Sequence, residues 1–181
     1  MAVAVPDDAR LVGHVRGVGP SAALDLGRSL SSLVAATPDA ALLPPDPPFL
    51  VPAPSALGER AGMGLVTQTA LAKGSLVCYY AGKDGAAMSA EAAEKVVDKG
   101  YLMRLAPDVY INGKHGGRVA RFVNDPRNKA KYNVTFVKMP ERRCAAVVAL
   151  RDVAPGEELF VDYGSAYWFG RRKTVTPVTL A

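Results

Sequence analysis

The segment RFVNDP, residues 121–126, places polar side chains beside the start of an apolar stretch. Arg121, Asn124 and Asp125 bring a cation, an amide and a carboxylate together, and Asn133 follows a few residues later. A capped turn at the edge of a core uses the same residue types, because short polar side chains satisfy the backbone there. This segment alone is therefore compatible with either a turn or a binding site.

Three further motifs surround this segment. Residues 62–65, GMGL, contain two glycines that let the backbone approach a ligand closely, although an ordinary hairpin turn also explains them. Residues 76–82, LVCYYAG, form an apolar strand pattern that includes Tyr80. Residues 156–164, GEELFVDYG, run from an acidic turn through an apolar stretch to Tyr163, which taken singly could be a core aromatic residue.

The order and spacing of the four motifs resemble the SET domain of protein-lysine methyltransferases, over roughly Gly58 to Trp168. That family has GxG, YxG, RFxNH with a later Asn, and a GEEL turn leading to DYG. The resemblance implies an α+β, mostly β fold, a β-clip of small sheets with an inserted helix. It also implies a pseudoknot-like C-terminal crossing of the RFVND and DYG segments, a threading that is rare in other folds.

The resemblance also implies a cofactor, S-adenosylmethionine, and a protein substrate that carries a lysine, such as a histone or nucleosome. It assigns catalysis to Tyr163, with its hydroxyl near the transferred methyl group, and places Tyr80 in the same channel. Phe136 and Val161 are expected to line the substrate channel, where a small wall without a hydroxyl favours di- or trimethylation. The implied cofactor-binding residues are Gly62, Met63, Gly64, Tyr101, Arg121, Phe122, Asn124, Asp125 and Trp168.

The chemistry of methyl transfer to an amine explains these residue types. The enzyme aligns nitrogen, methyl carbon and sulfur without forming a covalent bond to either substrate, so positioning supplies most of the catalysis. The lysine amine must be neutral, although its ordinary pKa is about 10.4. A water-poor aromatic channel and an adjacent sulfonium charge both lower that pKa, so no dedicated general base is expected.

The sequence departs from the family pattern at three places, one of which is Val161, where the family often has Phe or Tyr. Asp125 stands where RFxNH has His, and the cysteine-rich flanks that hold zinc in many relatives are absent, so no metal site is predicted. Two other hypotheses remain open: a SET-like module that binds cofactor or peptide without turnover, and a β-clip protein whose motifs are only turns and core aromatics.

The order of apolar stretches and turn signals predicts three regions. Residues 1–54 are expected to be an extension, with a short helix between Ser21 and Thr37 and a proline-rich linker from Leu43 to Pro54. Residues 55–168 form the domain, and residues 169–181 form a tail. Within the domain, one helix is expected from Met88 to Lys99. Strands are expected at Ser75–Tyr80, Val109–Asn112, Val134–Met139, Cys144–Leu150 and Leu159–Tyr163.

Composition adds only broad limits. The formal net charge is +5, and basic residues cluster between Lys114 and Lys131; this cluster could contact phosphate groups or be a solvated loop. No apolar run is long enough to span a bilayer, so no membrane partner is expected. No targeting segment is evident, so the expected location is nuclear or cytoplasmic. Two cysteines, Cys78 and Cys144, are too few for a disulfide framework.

Overall fold

The computed structural model describes residues 37–168. Short antiparallel strands dominate this part of the chain, and single turns of 3-10 helix join many of them. The strands are β1 (Leu50–Pro54), β2 (Met63–Thr67), β3 (Leu76–Ala81), β4 (Leu102–Ala106), β5 (Val109–Asn112), β6 (Val134–Met139) and β7 (Cys144–Ala149). The helices are α1 (Ala90–Glu94) and α2 (Ser165–Trp168). The predicted α+β, mostly β architecture is confirmed.

A three-stranded sheet in the order β3-β7-β6 forms the centre of the described residues. Its middle strand, CAAVVA, is buried along its whole length, because small and β-branched side chains fit between two packed faces. Side chains alternate between the two faces at the end of β3, so Tyr80 belongs to one hydrophobic cluster and Tyr79 to the other. This alternation directs Tyr80 towards the cleft described below and Tyr79 away from it.

The proline-rich segment contains a strand, so the expected linker from Leu43 to Pro54 is wrong for its last five residues. Strand β1 pairs antiparallel with β2, from Leu50 opposite Thr67 to Pro54 opposite Met63. These two strands form a sheet of their own, in which β1 has a partner on only one side, and edge strands tolerate proline. The division of the chain at residue 54 remains a prediction.

Residues 157–161 cross the rest of the fold and do not form the strand expected from Leu159 to Tyr163. The Leu159 N–H donates to the Leu65 carbonyl at 2.7 Å, whereas the Val161 N–H donates to the Asn124 carbonyl at 3.0 Å. Buried Asn133 secures the crossing, since its Nδ2 donates to the Glu158 carbonyl at 2.8 Å and its Oδ1 accepts from Phe160 N–H at 2.7 Å. The segment changes partner at successive residues, so no single strand forms a ladder with it.

The helix expected from Met88 to Lys99 is shorter than its sequence pattern suggested. Ser89 caps α1 by accepting from the Ala92 N–H, as its position predicts, but the helix ends at Glu94. Ala93 is its only buried residue, and Val97 is fully exposed, so packing stabilises no second turn. A separate 3-10 turn at Lys99–Tyr101 follows.

Two other expectations concern the ends of the chain. Of the helix expected between Ser21 and Thr37, only Thr37 lies within the described residues, and the tail expected at 169–181 lies outside them. Within residues 37–168, no helix is long and apolar enough to cross a membrane.

Candidate active site

A cleft of about 1070 Å³ brings together side chains from several separate segments of the sequence. All but two of the predicted site residues line it. They are Gly62, Met63, Tyr80, Tyr101, Arg121, Phe122, Asn124, Asp125, Phe136, Tyr163 and Trp168. The fold therefore assembles these residues around one space, as a site requires.

The two exceptions, Gly64 and Val161, lie behind the cleft wall. A Cβ atom on Gly64 would lie 2.0 Å from Oε1 of Glu158, so the absence of a side chain there makes room for that carboxylate. Val161 is 1% exposed and belongs to the main hydrophobic cluster. Its expected place on the substrate channel has no support from this geometry, whereas Phe136 lies on the cleft and packs edge to face against Tyr80 at 5.7 Å.

Tyr163 is held at both its backbone and its ring. Its hydroxyl donates to the Val123 carbonyl at 2.7 Å, and its backbone N–H donates to Oδ2 of Asp125 at 3.0 Å. Burial, reinforced by nearby Tyr167 and Tyr80, raises the pKa of Tyr163 well above its usual value. Tyr163 is therefore a neutral phenol at physiological pH.

Tyr80 has the same chemical arrangement. Its hydroxyl donates to the Tyr101 carbonyl at 2.5 Å, and burial raises its pKa well above the usual range. A phenol has one hydrogen to donate, so once that hydrogen is engaged, its oxygen can only accept from another group. Tyr80 and Tyr163 thus each offer an acceptor oxygen to a ligand in the cleft.

Asp125 is only 9% exposed, and its carboxylate accepts four hydrogen bonds from the protein. Its Oδ2 accepts from the Tyr163 N–H at 3.0 Å and from the Trp168 indole N–H at 2.8 Å. Its Oδ1 accepts from the Arg127 N–H at 2.7 Å and from the Tyr132 hydroxyl at 3.0 Å. The carboxylate therefore ties the RFVND segment to the C-terminal aromatic residues.

Three aromatic rings form one wall of the cleft. The Tyr163 and Tyr167 ring centroids are 4.5 Å apart, and the Tyr167 and Trp168 centroids are 5.0 Å apart. Trp168 also lies nearly parallel to Tyr163, and the Arg127 guanidinium sits 4.7 Å from the Trp168 ring centroid. This wall presents a largely apolar surface to anything bound beside it.

Asn124 connects the RFVND segment to the glycine motif. Its Nδ2 donates to the Met63 carbonyl at 3.0 Å and lies 3.3 Å from Oε1 of Glu158. Glu158, itself 9% exposed, also accepts from the Ser55 hydroxyl and from the Ala56 N–H, both at 2.7 Å. The carboxylate of Glu158 thus holds the loop before β2 through Ser55 and Ala56, and it also accepts from Asn124.

Arg121 has a donor that the protein leaves unused. One terminal nitrogen donates to the Lys114 carbonyl at 2.8 Å, and the guanidinium lies 4.7 Å from the centroid of Phe122. Within residues 37–168, the Arg121 Nε is the one buried side-chain polar atom without a hydrogen-bond partner. An unsatisfied buried donor is costly. The protein encloses this nitrogen, although Arg121 as a residue lines the cleft.

The basic cluster between Lys114 and Lys131 is partly neutralised. Lys114 forms an ion pair with Asp98 at 2.8 Å, and Arg118 forms one with Asp46 at 3.4 Å. These pairs reduce the positive charge that the cluster offers to a polyanion. Direct nucleic-acid contact has no specific support from this geometry.

Sequence reasoning missed three residues of the site. Tyr167 lines the cleft, Tyr132 supports Asp125, and Glu158 supports Asn124. The signal for Glu158 was present, because a second acidic residue directly before an apolar crossing segment must be paired once it is buried. Tyr132 and Tyr167 carried no comparable signal, since either could equally have been a core aromatic residue.

Comparison with known proteins agrees with this geometry. A histone-lysine N-methyltransferase, H3 lysine-4 specific, from Saccharomyces cerevisiae is 32% identical over 108 residues, which is 55% of this chain and 10% of that protein. A protein of the same name from Cryptococcus neoformans is 29% identical over 110 residues, covering 56% and 7% of the two chains. A variant-silencing SET domain-containing protein from Plasmodium falciparum is 24% identical over 120 residues, covering 61% and 5%.

The aligned region therefore spans a tenth or less of each of these relatives. The family comparison covers more than half of the present chain, because the SET domain matches residues 62–164. That range begins at the first glycine of the GMGL motif and ends at the glycine that follows Tyr163. The chain belongs to the SET-domain family.

Proposed function

We propose that this chain is a protein-lysine N-methyltransferase that uses S-adenosylmethionine. The observation that carries the proposal is the pair of tyrosine hydroxyls, from Tyr80 and Tyr163, which line one cleft and donate their hydrogens to backbone carbonyls. Two fixed acceptor oxygens suit a neutral amine, whose N–H groups can donate to them. Membership of the SET-domain family and the names of two relatives support the same chemistry.

The cleft is large enough for a nucleoside cofactor such as S-adenosylmethionine. Small-molecule sites commonly occupy about 300–1,000 Å³, so a cleft of about 1070 Å³ has room for a nucleoside and for part of a peptide. We expect the backbone around Gly62 and Met63 and the side chain of Asn124 to hold the cofactor's polar groups, with Arg121 beside them on the cleft. When bound, S-adenosylmethionine supplies an activated methyl group and a positive sulfonium.

The chain's own residues would prepare the lysine amine. The aromatic wall around Tyr163 excludes water, and exclusion of water disfavours the charged ammonium, so the amine's pKa falls. The hydroxyl oxygens of Tyr80 and Tyr163 would then accept the amine N–H groups and so orient the nitrogen in the cleft. Such alignment supplies the rate enhancement without a covalent intermediate.

The substrate class we propose is a protein that carries an accessible lysine, with histone H3 as the first candidate. Two of the relatives are named as H3 lysine-4 specific enzymes, which makes H3 the rational first substrate. Because Phe136 packs against Tyr80 on the cleft, it is the residue that we expect to limit the space for added methyl groups.

The proposal is tested by incubating the purified chain with radiolabelled S-adenosylmethionine and mixed core histones. The Tyr163→Phe variant removes the proposed catalytic hydroxyl, and Tyr79→Phe is the matched control, because Tyr79 packs on the opposite face of β3. Label transferred by the parent and by Tyr79→Phe, with little from Tyr163→Phe, supports the proposal. Cofactor binding by calorimetry without transfer to any protein favours a non-catalytic binding module, and absence of binding refutes the cofactor assignment.

A further inference from the structure

The carboxylate of Asp125 is saturated by protein donors. A carboxylate has two oxygens with about four lone-pair sites, and four donors occupy the two oxygens of Asp125 at distances of 2.7–3.0 Å. Two of these donors, the Tyr163 N–H and the Trp168 indole N–H, belong to the C-terminal aromatic wall. The other two, from Arg127 and Tyr132, fix the carboxylate from the opposite side.

A histidine at this position could not do the same. A neutral imidazole offers one acceptor nitrogen and one N–H donor, so it can accept from one of the four groups at most. Every partner of Asp125 donates its hydrogen in this arrangement. The residue at which this chain departs from the RFxNH pattern is therefore matched to its own surroundings, and its oxygens are not available to a cofactor.

We propose that Asp125 is a positioning residue, which holds the segment from Tyr163 to Trp168 against the cleft through the Tyr163 backbone and the Trp168 indole and does not itself touch the cofactor. All four donors to Asp125 belong to the protein, so the arrangement itself contains no cofactor contact. The effect of this positioning on turnover rests on the proposed function, whereas the positioning itself does not. The contact between Arg127 and the Trp168 ring supports the same assembly, because Asp125 also accepts from the Arg127 N–H.

The test uses the intrinsic fluorescence of Trp168, the only tryptophan of the chain, measured on the full chain without cofactor. Asp125→Ala removes all four acceptor contacts, so we expect a red-shifted emission and steeper quenching by acrylamide than in the parent. Asp152→Asn is the matched control, since Asp152 is exposed, accepts from the Lys73 N–H, and lies away from the cleft. Its emission should equal that of the parent.

Asp125→Asn provides a conservative variant that is expected to fold even if Asp125→Ala does not. Its carboxamide oxygen can face the Tyr163 and Trp168 donors, while its NH₂ group faces Tyr132, whose hydroxyl can accept. Only the bond from the Arg127 N–H is then lost. We expect emission close to that of the parent for Asp125→Asn, but not for Asp125→His. Unchanged emission in both Asp125→Ala and Asp125→His would overturn the proposal.

A second measurement separates positioning from direct cofactor contact. If Asp125 bound the cofactor itself, Asp125→Ala would weaken cofactor binding while leaving the emission of the cofactor-free protein unchanged, and that result would refute the positioning role. If it positions Tyr163, the turnover number of Asp125→Ala falls by about ten-fold or more, because a hydrogen bond to a charged group corresponds to roughly one to two powers of ten. If the parent transferred no methyl group but the Asp125 variants still showed the expected changes in Trp168 emission, the proposed function would be refuted and the positioning role would remain supported.

Discussion

Replacement of Gly64 by alanine is expected to cost more stability than its small size suggests. The new Cβ would lie 2.0 Å from Oε1 and 2.5 Å from Cδ of Glu158, distances at which the carboxylate must move. That carboxylate accepts from Ser55, Ala56 and Asn124. Hydrogen bonds to a charged group contribute about 1.5–3 kcal/mol each, so we expect a loss of about 3–5 kcal/mol in the free energy of unfolding.

Gly62→Ala is the matched comparison, because Gly62 belongs to the same GMGL motif and lies directly before β2. Gly62 has φ of +67°, but a Cβ there meets nothing within 4 Å. Its cost is therefore conformational, because φ of +67° with ψ of −124° is a combination that glycine adopts far more readily than alanine, and we expect a loss of about 1–3 kcal/mol. A larger loss for Gly64→Ala than for Gly62→Ala, measured by urea denaturation followed by circular dichroism, is the expected order.

A double-mutant cycle tests the cause directly. Glu158→Ala removes all three atoms that the added Cβ would approach, so Gly64→Ala should cost little in that background. The two substitutions are then strongly non-additive, with an interaction energy above about 1 kcal/mol. Simple additivity of the two losses would refute the reasoning, because it would mean that Gly64 and Glu158 do not constrain each other.

Three further outcomes are expected. Tyr80→Phe removes the hydroxyl of the proposed amine site, so the rate of methyl transfer should fall by about ten-fold or more, whereas equal rates for Tyr80→Phe and Tyr79→Phe would contradict that role. Asn133→Ala removes both side-chain bonds of the crossing segment and should lower the urea midpoint by an amount equivalent to about 2–4 kcal/mol; a loss below about 1 kcal/mol would contradict the account of the crossing. Burial raises the pKa of Cys144 from 9.0 to about 11 and that of Cys78 further. Each thiol ionises first in the unfolded chain, so its contribution to stability is complete below pH 9 and is lost as the pH rises. Cys144→Ala should therefore make the fall of the unfolding free energy between pH 9 and 11 shallower by about 1 kcal/mol per pH unit on average, and an unchanged slope would count against this expectation.

Sequence patterns predicted strands best where one strand pairs with another along its whole length. The ranges expected for β5 and β6 agree with the structure residue for residue, and those for β3 and β7 agree to within one residue. The pattern failed at Leu159–Tyr163, because an apolar run does not reveal whether its backbone pairs with one strand or with several different segments. It failed also at Pro54, since proline content alone does not distinguish a linker from an edge strand.

The site was largely predictable because its residues lie in recognisable motifs. Most of the expected residues line one cleft, although their separate roles in binding and catalysis remain predictions. What the sequence could not supply was the supporting layer behind them. The contacts from Asp125 to Tyr132 and Trp168 join residues that are 7 and 43 positions apart, and neither pair belongs to a regular helix or strand pattern.

The most direct test of the central claim is mass analysis of histone H3 after incubation with S-adenosylmethionine and the purified chain, with the rate of methyl-lysine formation compared between the parent and Tyr163→Phe. Loss of a group that positions the reacting atoms commonly costs about 100-fold or more in rate. We therefore predict methylation of a lysine side chain by the parent and a fall of about that size in the variant. Equal rates of methyl-lysine formation by the two proteins would contradict the account.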